Sequence, residues 1–209
     1  MLAPSTRRAR QLARALAFGA LAALPLACAT KQVTRIEPTA VTDLSGRWND
    51  TDSRLVARAL IEQSLGATWA RSYSQTHGGE SPTVIVGRFA NRSLDHIPVN
   101  TFVNDLENAY VGSGAVRVVA DKVERESVRD ERADQQRNAR AGTRARVGQE
   151  QGARYMLQGE LQSIEDSEGR ERVVFYQVDA TLVDLESNTK VWVGTHRIKK
   201  YIERKRFGI

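Results

Sequence analysis

VVFYQVDATLVD, residues 173–184, decides the fold. Val174, Tyr176, Val178, Ala180 and Leu182 fall on one face of an extended chain, with Gln177, Asp179 and Thr181 on the other. Period-two alternation of this kind belongs to a strand with one buried face. Upstream, Tyr155-Met156-Leu157 opens a strand that Leu161 and Ile164 continue, and Ser167-Glu168-Gly169-Arg170 reads as the turn between them. Downstream, Glu186-Ser187-Asn188-Thr189 turns again and Val191-Trp192-Val193 pairs back. Three consecutive strands with short turns make an antiparallel meander.

Helices and strands alternate before the meander. Asn49, Asp50 and Thr51 offer N-caps, with Asp52 in the first turn, where the helix dipole favours an anion. Ala57, Ile61, Leu65 and Trp69 recur every four residues beside Val56 and Leu60, predicting one helix that fades over residues 72–76 and stops at Gly78-Gly79. Residues 82–87 read as a strand, followed by a polar loop, Asn91-Arg92-Ser93, up to Pro98. A second helix, capped at Asn100 or Thr101, turns Phe102, Leu106 and Ala109 or Tyr110 inward and stops at Gly112 and Gly114. Residues 116–120 (VRVVA) form a short strand. Asp121 to Asn138 is a densely charged helix with little apolar face, and residues 139–152 continue as a helix or helix pair, broken near Gly142. The expected fold is α/β (α+β): a mixed sheet ending in the meander and flanked by helices.

Cys28 is the single cysteine. Arg7, Arg8, Arg10 and Arg14 precede an apolar run, residues 15–27 (ALAFGALAALPLA), that is shorter than the roughly 20 residues a spanning helix needs. A charged start, a short apolar middle and a small residue before the cut make a secretory signal. The segment Leu24-Pro25-Leu26-Ala27-Cys28 resembles the lipobox of bacterial lipoproteins. That resemblance implies acylation of Cys28 and a membrane anchor that needs no spanning helix. The expected organisation is a signal peptide over 1–27, a lipidated N-terminus and short tether over 28–46, and one globular domain over 47–209. The tether of about 18 residues, at roughly 3.5 Å each, reaches at most about 60 Å.

The chain carries 31 Lys and Arg against 25 Asp and Glu, a net +6. The signal holds four of those arginines and no acid, so 27 stand against 25 after cleavage, a net +2. Whole-chain basicity therefore gives no case for nucleic acid as a partner. No catalytic constellation is legible. His77, His96 and His196 have no second ligand type at metal spacing. No serine sits in a G-x-S-x-G elbow. Gly112-Ser113-Gly114 follows a helix, not a strand, and is a helix stop, not a phosphate loop. Glu165, Asp166 and Glu168 gather at a hairpin tip, where solvation explains them. No cofactor is expected and the chain reads as a non-enzyme. The basic tail, residues 197–206, fits either a last strand with a frayed end or contact with an anionic surface.

Residues 43–54 (DLSGRWNDTDSR), 86–93 (VGRFANRS), 155–164 (YMLQGELQSI) and 191–194 (VWVG), together with the lipobox, resemble the LpoB family of lipoprotein activators. The resemblance implies a domain like the N-terminal domain of TolB, held on the outer membrane and facing the periplasm. It also implies a partner, a class A penicillin-binding protein, whose glycan polymerisation and cross-linking it stimulates. Phe89, Asn91, Arg92, Ser93 and His96 are the expected contacts, because strand-end loops carry binding and an arginine beside an aromatic is a common anchor. An envelope assembly or secretion lipoprotein of the CsgG type is the alternative. It calls for membrane-inserting β segments, and the last hairpin lacks a continuous lipid-facing side of about 10 residues.

Overall fold

In the computed structural model, which describes residues 31–204, the alternation of 173–184 becomes one wall of the core. Val174, Tyr176, Val178, Ala180 and Leu182 are each at most 2% exposed. They lie on β4 (Glu171–Asp184), between β3 (Tyr155–Glu168) and β5 (Lys190–Glu203), both antiparallel to it. β1 (Thr83–Arg92) runs parallel to β3 and to the two-residue β2 (Arg117–Val118), giving a mixed five-stranded sheet in the order β2-β1-β3-β4-β5. Residues 31–38 are exposed and carry neither helix nor strand.

One sheet face is covered by α1 (Asp50–Gly66) and α3 (Val99–Ser113). Val56, Ala57, Leu60 and Ile61 of α1 and Phe102, Leu106 and Tyr110 of α3 meet the sheet's apolar side. Asn49 caps α1 reciprocally with Asp52: its side chain accepts the Asp52 N–H at 3.0 Å, and the Asp52 carboxylate accepts the Asn49 N–H at 2.9 Å.

The single helix read over residues 49–76 is two. α1 ends at Gly66 and α2 spans Trp69–Thr76. The Ser64 carbonyl explains the break. It accepts the Ala67 N–H at 3.2 Å and the Trp69 indole N–H at 2.7 Å, which turns the indole onto Tyr155 with ring centroids 5.1 Å apart. α3 starts at Val99, with Pro98 as its N-cap instead of Asn100 or Thr101.

β1 continues past Gly87 to Arg92, so Asn91 and Arg92 finish a strand and the loop begins at Ser93. The strand over 116–120 shrinks to two residues because Asp121 starts a capping box with Glu124 that leads directly into α4 (Lys122–Asn138). α4 buries no residue. Residues 139–152 are not the helix their sequence suggests. Apart from one short 3-10 turn at Ala141–Thr143 they double back along α4, which satisfies their polar groups. Gln135 Oε1 accepts the Ala145 N–H at 3.0 Å, Gln136 donates to the Ala145 carbonyl at 2.8 Å, and Glu150 takes Arg129 and Arg132 at 2.8 Å. The basic tail is strand as far as Glu203.

Candidate functional site

The loop expected to bind begins where β1 ends, and a bulge sets which side chains reach solvent there. Pairing between β1 and β3 shifts register between Val86 and Phe89. Phe89 consequently faces the helices, while Arg88, Ala90 and Arg92 line the open face of the sheet beside Gln158, Glu160, Asp179 and Thr181. These residues enclose a shallow depression of about 410 Å³.

Phe89 is only 5% exposed, which corrects its assignment as a contact. Its ring meets Phe102 edge-on at 5.3 Å and crosses β3 at Gly159, where a Cβ would collide with the Phe89 ring and the Asp179 carbonyl. The aromatic series continues from Phe102 to Trp48 (6.2 Å) and from Trp48 to Tyr176 (5.5 Å).

Asn91 and Ser93 are occupied in holding the loop. Asn91 Oδ1 accepts the Ser93 N–H at 2.9 Å and the Ser93 hydroxyl at 2.6 Å, while Asn91 Nδ2 donates to the Asp95 carbonyl at 2.8 Å. This is an Asx turn. Beyond it the Leu94 N–H donates to Ser163 Oγ at 2.9 Å, and the Tyr176 hydroxyl donates to Asp95. Burial first, then that bond to Asp95, push the Tyr176 phenol well above the usual tyrosine range. Arg92 and His96 are exposed, and Leu94 is 76% exposed. Among the described residues neither Arg88 nor Arg92 has a carboxylate within ion-pair distance, although Glu160 and Asp179 line the same depression.

A second cluster explains the segment 43–54. The Trp48 indole donates to Ser53 Oγ at 2.8 Å, and the Trp48 N–H donates to the Tyr176 hydroxyl at 3.1 Å. Lys200 on β5 donates to Asp52 at 2.6 Å, to Asp43 at 2.7 Å and to the Arg47 carbonyl at 3.2 Å. Burial works against the Lys200 charge, but the bonds to Asp43 and Asp52 outweigh it and raise its pKa. The Lys200 bond in turn lowers the Asp43 carboxyl. The last residues of the tether read from sequence are thus tied to β5.

The open face offers binding chemistry: two exposed guanidiniums four residues apart on one strand, suited to carboxylates. Arg88 was missed because the strand read from sequence stops at Gly87; β1 runs on to Arg92, and alternation along it puts Arg88 on the face of Arg92, while the bulge takes it off the face of Val86. Cys28 lies outside the described residues. Among the described residues no group of three or more His, Cys, Asp or Glu is placed to hold a metal ion.

Residues 52–198 match the family described as peptidoglycan-synthase activator LpoB. Among solved structures the chain is similar to the LpoB C-terminal domain from Escherichia coli, at 12% identity and TM-score 0.43, covering 70% of this chain and 98% of that one. It is similar also to the NMR structure of E. coli LpoB, at 14% identity and TM-score 0.40, covering 87% and 86%. The PelC dodecamer from Paraburkholderia phytofirmans matches at 21% identity and TM-score 0.30, over 57% and 72%. No curated protein matches the chain in sequence.

Proposed function

The chain belongs to the LpoB family of peptidoglycan-synthase activators, and on that premise we propose that it is a non-catalytic lipoprotein that binds a class A penicillin-binding protein and stimulates it. The match over residues 52–198 is the observation that carries this reading. Lipids on Cys28 hold the protein on the outer membrane, with the domain facing the periplasm and residues 1–27 removed as a signal peptide.

Activation by binding requires the domain to prefer the active state of the synthase, since a ligand with equal affinity for both states shifts nothing. Arg92 and His96, with Leu94 between them and Arg88 on the same sheet face as Arg92, are the exposed groups that make the contact. Asn91 and Ser93 act indirectly by fixing the loop.

The test is glycan-strand synthesis from lipid II by the cognate synthase, with and without the protein. Stimulation, and its loss in Arg88→Ala/Arg92→Ala, is the expected result. No rate change and no binding at tens of micromolar would refute the activator reading. Stimulation that survives the double substitution would refute only the site.

A further inference from the structure

The sheet has an unfinished edge. β1 stops pairing with β3 at Arg92 and Gln162, yet β3 runs on to Glu168 against β4. The loop after Arg92 does not continue alongside, because it leaves the sheet plane. Its Leu94 N–H goes to the Ser163 side chain and Asp95 goes to Tyr176, both on the helix-covered side. Alternate residues of a strand direct their N–H and C=O groups to each neighbour. Among the described residues, those groups of 163–168 that point to the β1 side have no strand beside them. The vacancy is six residues long, about 20 Å at the usual strand rise.

The side chains around this edge select what can fill it. Residues 163–168 read SIEDSE, with three acids and no base. Glu165 is engaged by Arg172 at 2.7 Å, whereas Asp166 is exposed and has no cationic partner among the described residues. Ile164 is 67% exposed and Leu94 is 76% exposed at the start of the edge. A second copy of this chain paired edge to edge would set three acids against three, and like charges opposite one another destabilise a sheet. A basic strand relieves them.

We propose that an extended, basic segment of the synthase adds to β3 along residues 163–168, prolonging the line of β1 by strand addition. This rests on the activator reading and specifies how that partner is held. The backbone of the added segment pairs with β3. Its alternate side chains on the open face meet Ile164, Asp166 and Glu168, with Ile164 at the Arg92 end.

Amide hydrogen exchange of the full chain, alone and with the synthase, tests the proposal. The expected result is exchange slowed at least tenfold within residues 163–168 on binding. Asp166→Lys/Glu168→Lys should also weaken binding at least tenfold at low salt while the free protein's melting stays unchanged. If the synthase binds and is stimulated while exchange at 163–168 is unaltered, the edge proposal is overturned and the activator reading stands. Slowing confined to the opposite edge, β5 residues 190–198, overturns it equally. Absence of binding removes the activator reading, and the edge proposal with it.

Discussion

Replacing Phe89 with alanine separates a core residue from a contact residue. The side chain is 5% exposed, meets Phe102 edge-on and lies over Gly159, so truncation leaves a cavity between the sheet and α3. Phe→Ala in such a site costs about 3–5 kcal/mol, the transfer loss plus the cavity. Total stability for a domain is about 5–15 kcal/mol, so the variant keeps half or less in the weaker case. With a urea slope of about 2 kcal/mol/M, the unfolding midpoint should fall by about 1.5–2.5 M at an unchanged slope. Arg92→Ala, made in parallel, should stay within about 0.5 kcal/mol, as for an exposed side chain with no partner. A Phe89→Ala midpoint that falls by less than about 0.5 M, together with lost binding of the synthase, would refute the burial argument and return Phe89 to the surface.

Lys200→Met leaves Asp52 buried without its cation and should cost about 3–5 kcal/mol, measured by the same urea titration. Gly159→Ala forces a Cβ into the Asp179 carbonyl and the Phe89 ring and should destabilise by at least about 2 kcal/mol; an unchanged midpoint would mean that β3 and β4 part freely there. Lys200, Tyr176 and Tyr110, the last pushed up to about 12 by burial, all have raised folded-state values. Their stabilisation is complete below the unfolded values near about 10 and is lost as pH rises through the folded ones, so melting should fall above about pH 10 and Tyr176→Phe should remove part of that fall. Asp43, lowered by Lys200, acts in the other direction: its small contribution is present above an unfolded value of about 3.9 and fades on acidification. Cys28→Ala should release the protein from the membrane fraction after detergent-free washing, and persistence there would count against lipidation.

The meander was legible because its signal is local: the inward residues of β4 alternate without interruption, and all five proved buried. The α1 stripe was legible for the same reason, down to Asp52 in its cap. What was not legible depends on partners distant in sequence. The break after Gly66 is set by an indole reaching the Ser64 carbonyl, and the inward turn of Phe89 by a bulge opposite β3 and the missing side chain at Gly159. The chain over 139–152 has the composition of a helix, but it must return from the far end of α4 to reach β3, and side chains of α4 take its polar groups. Of the residues that the sequence offered as contacts, Arg92 and His96 are exposed. The sequence could not distinguish Phe89, which is core, or Asn91, which is a turn device, from residues free to bind.

The blocks that carry the family resemblance are mostly engaged in making the fold. Trp48, Asp52 and Ser53 join the leading segment to β4, β5 and α1. Phe89, Asn91 and Gly159 place the loop against the helices. Substitution at any of these removes a buried contact, so loss of synthase stimulation there reports stability before it reports binding. The groups that can be changed without touching the core are the exposed members of the same blocks, Arg88 and Arg92 on the open face, and the stretch of β3 past Gln162 that has no β1 partner. Two members of this fold can therefore keep the buried residues of these blocks and still differ in the partner they recognise. A partner-swapping experiment should exchange residues 88, 92 and 163–168 and leave residues 43–54 alone.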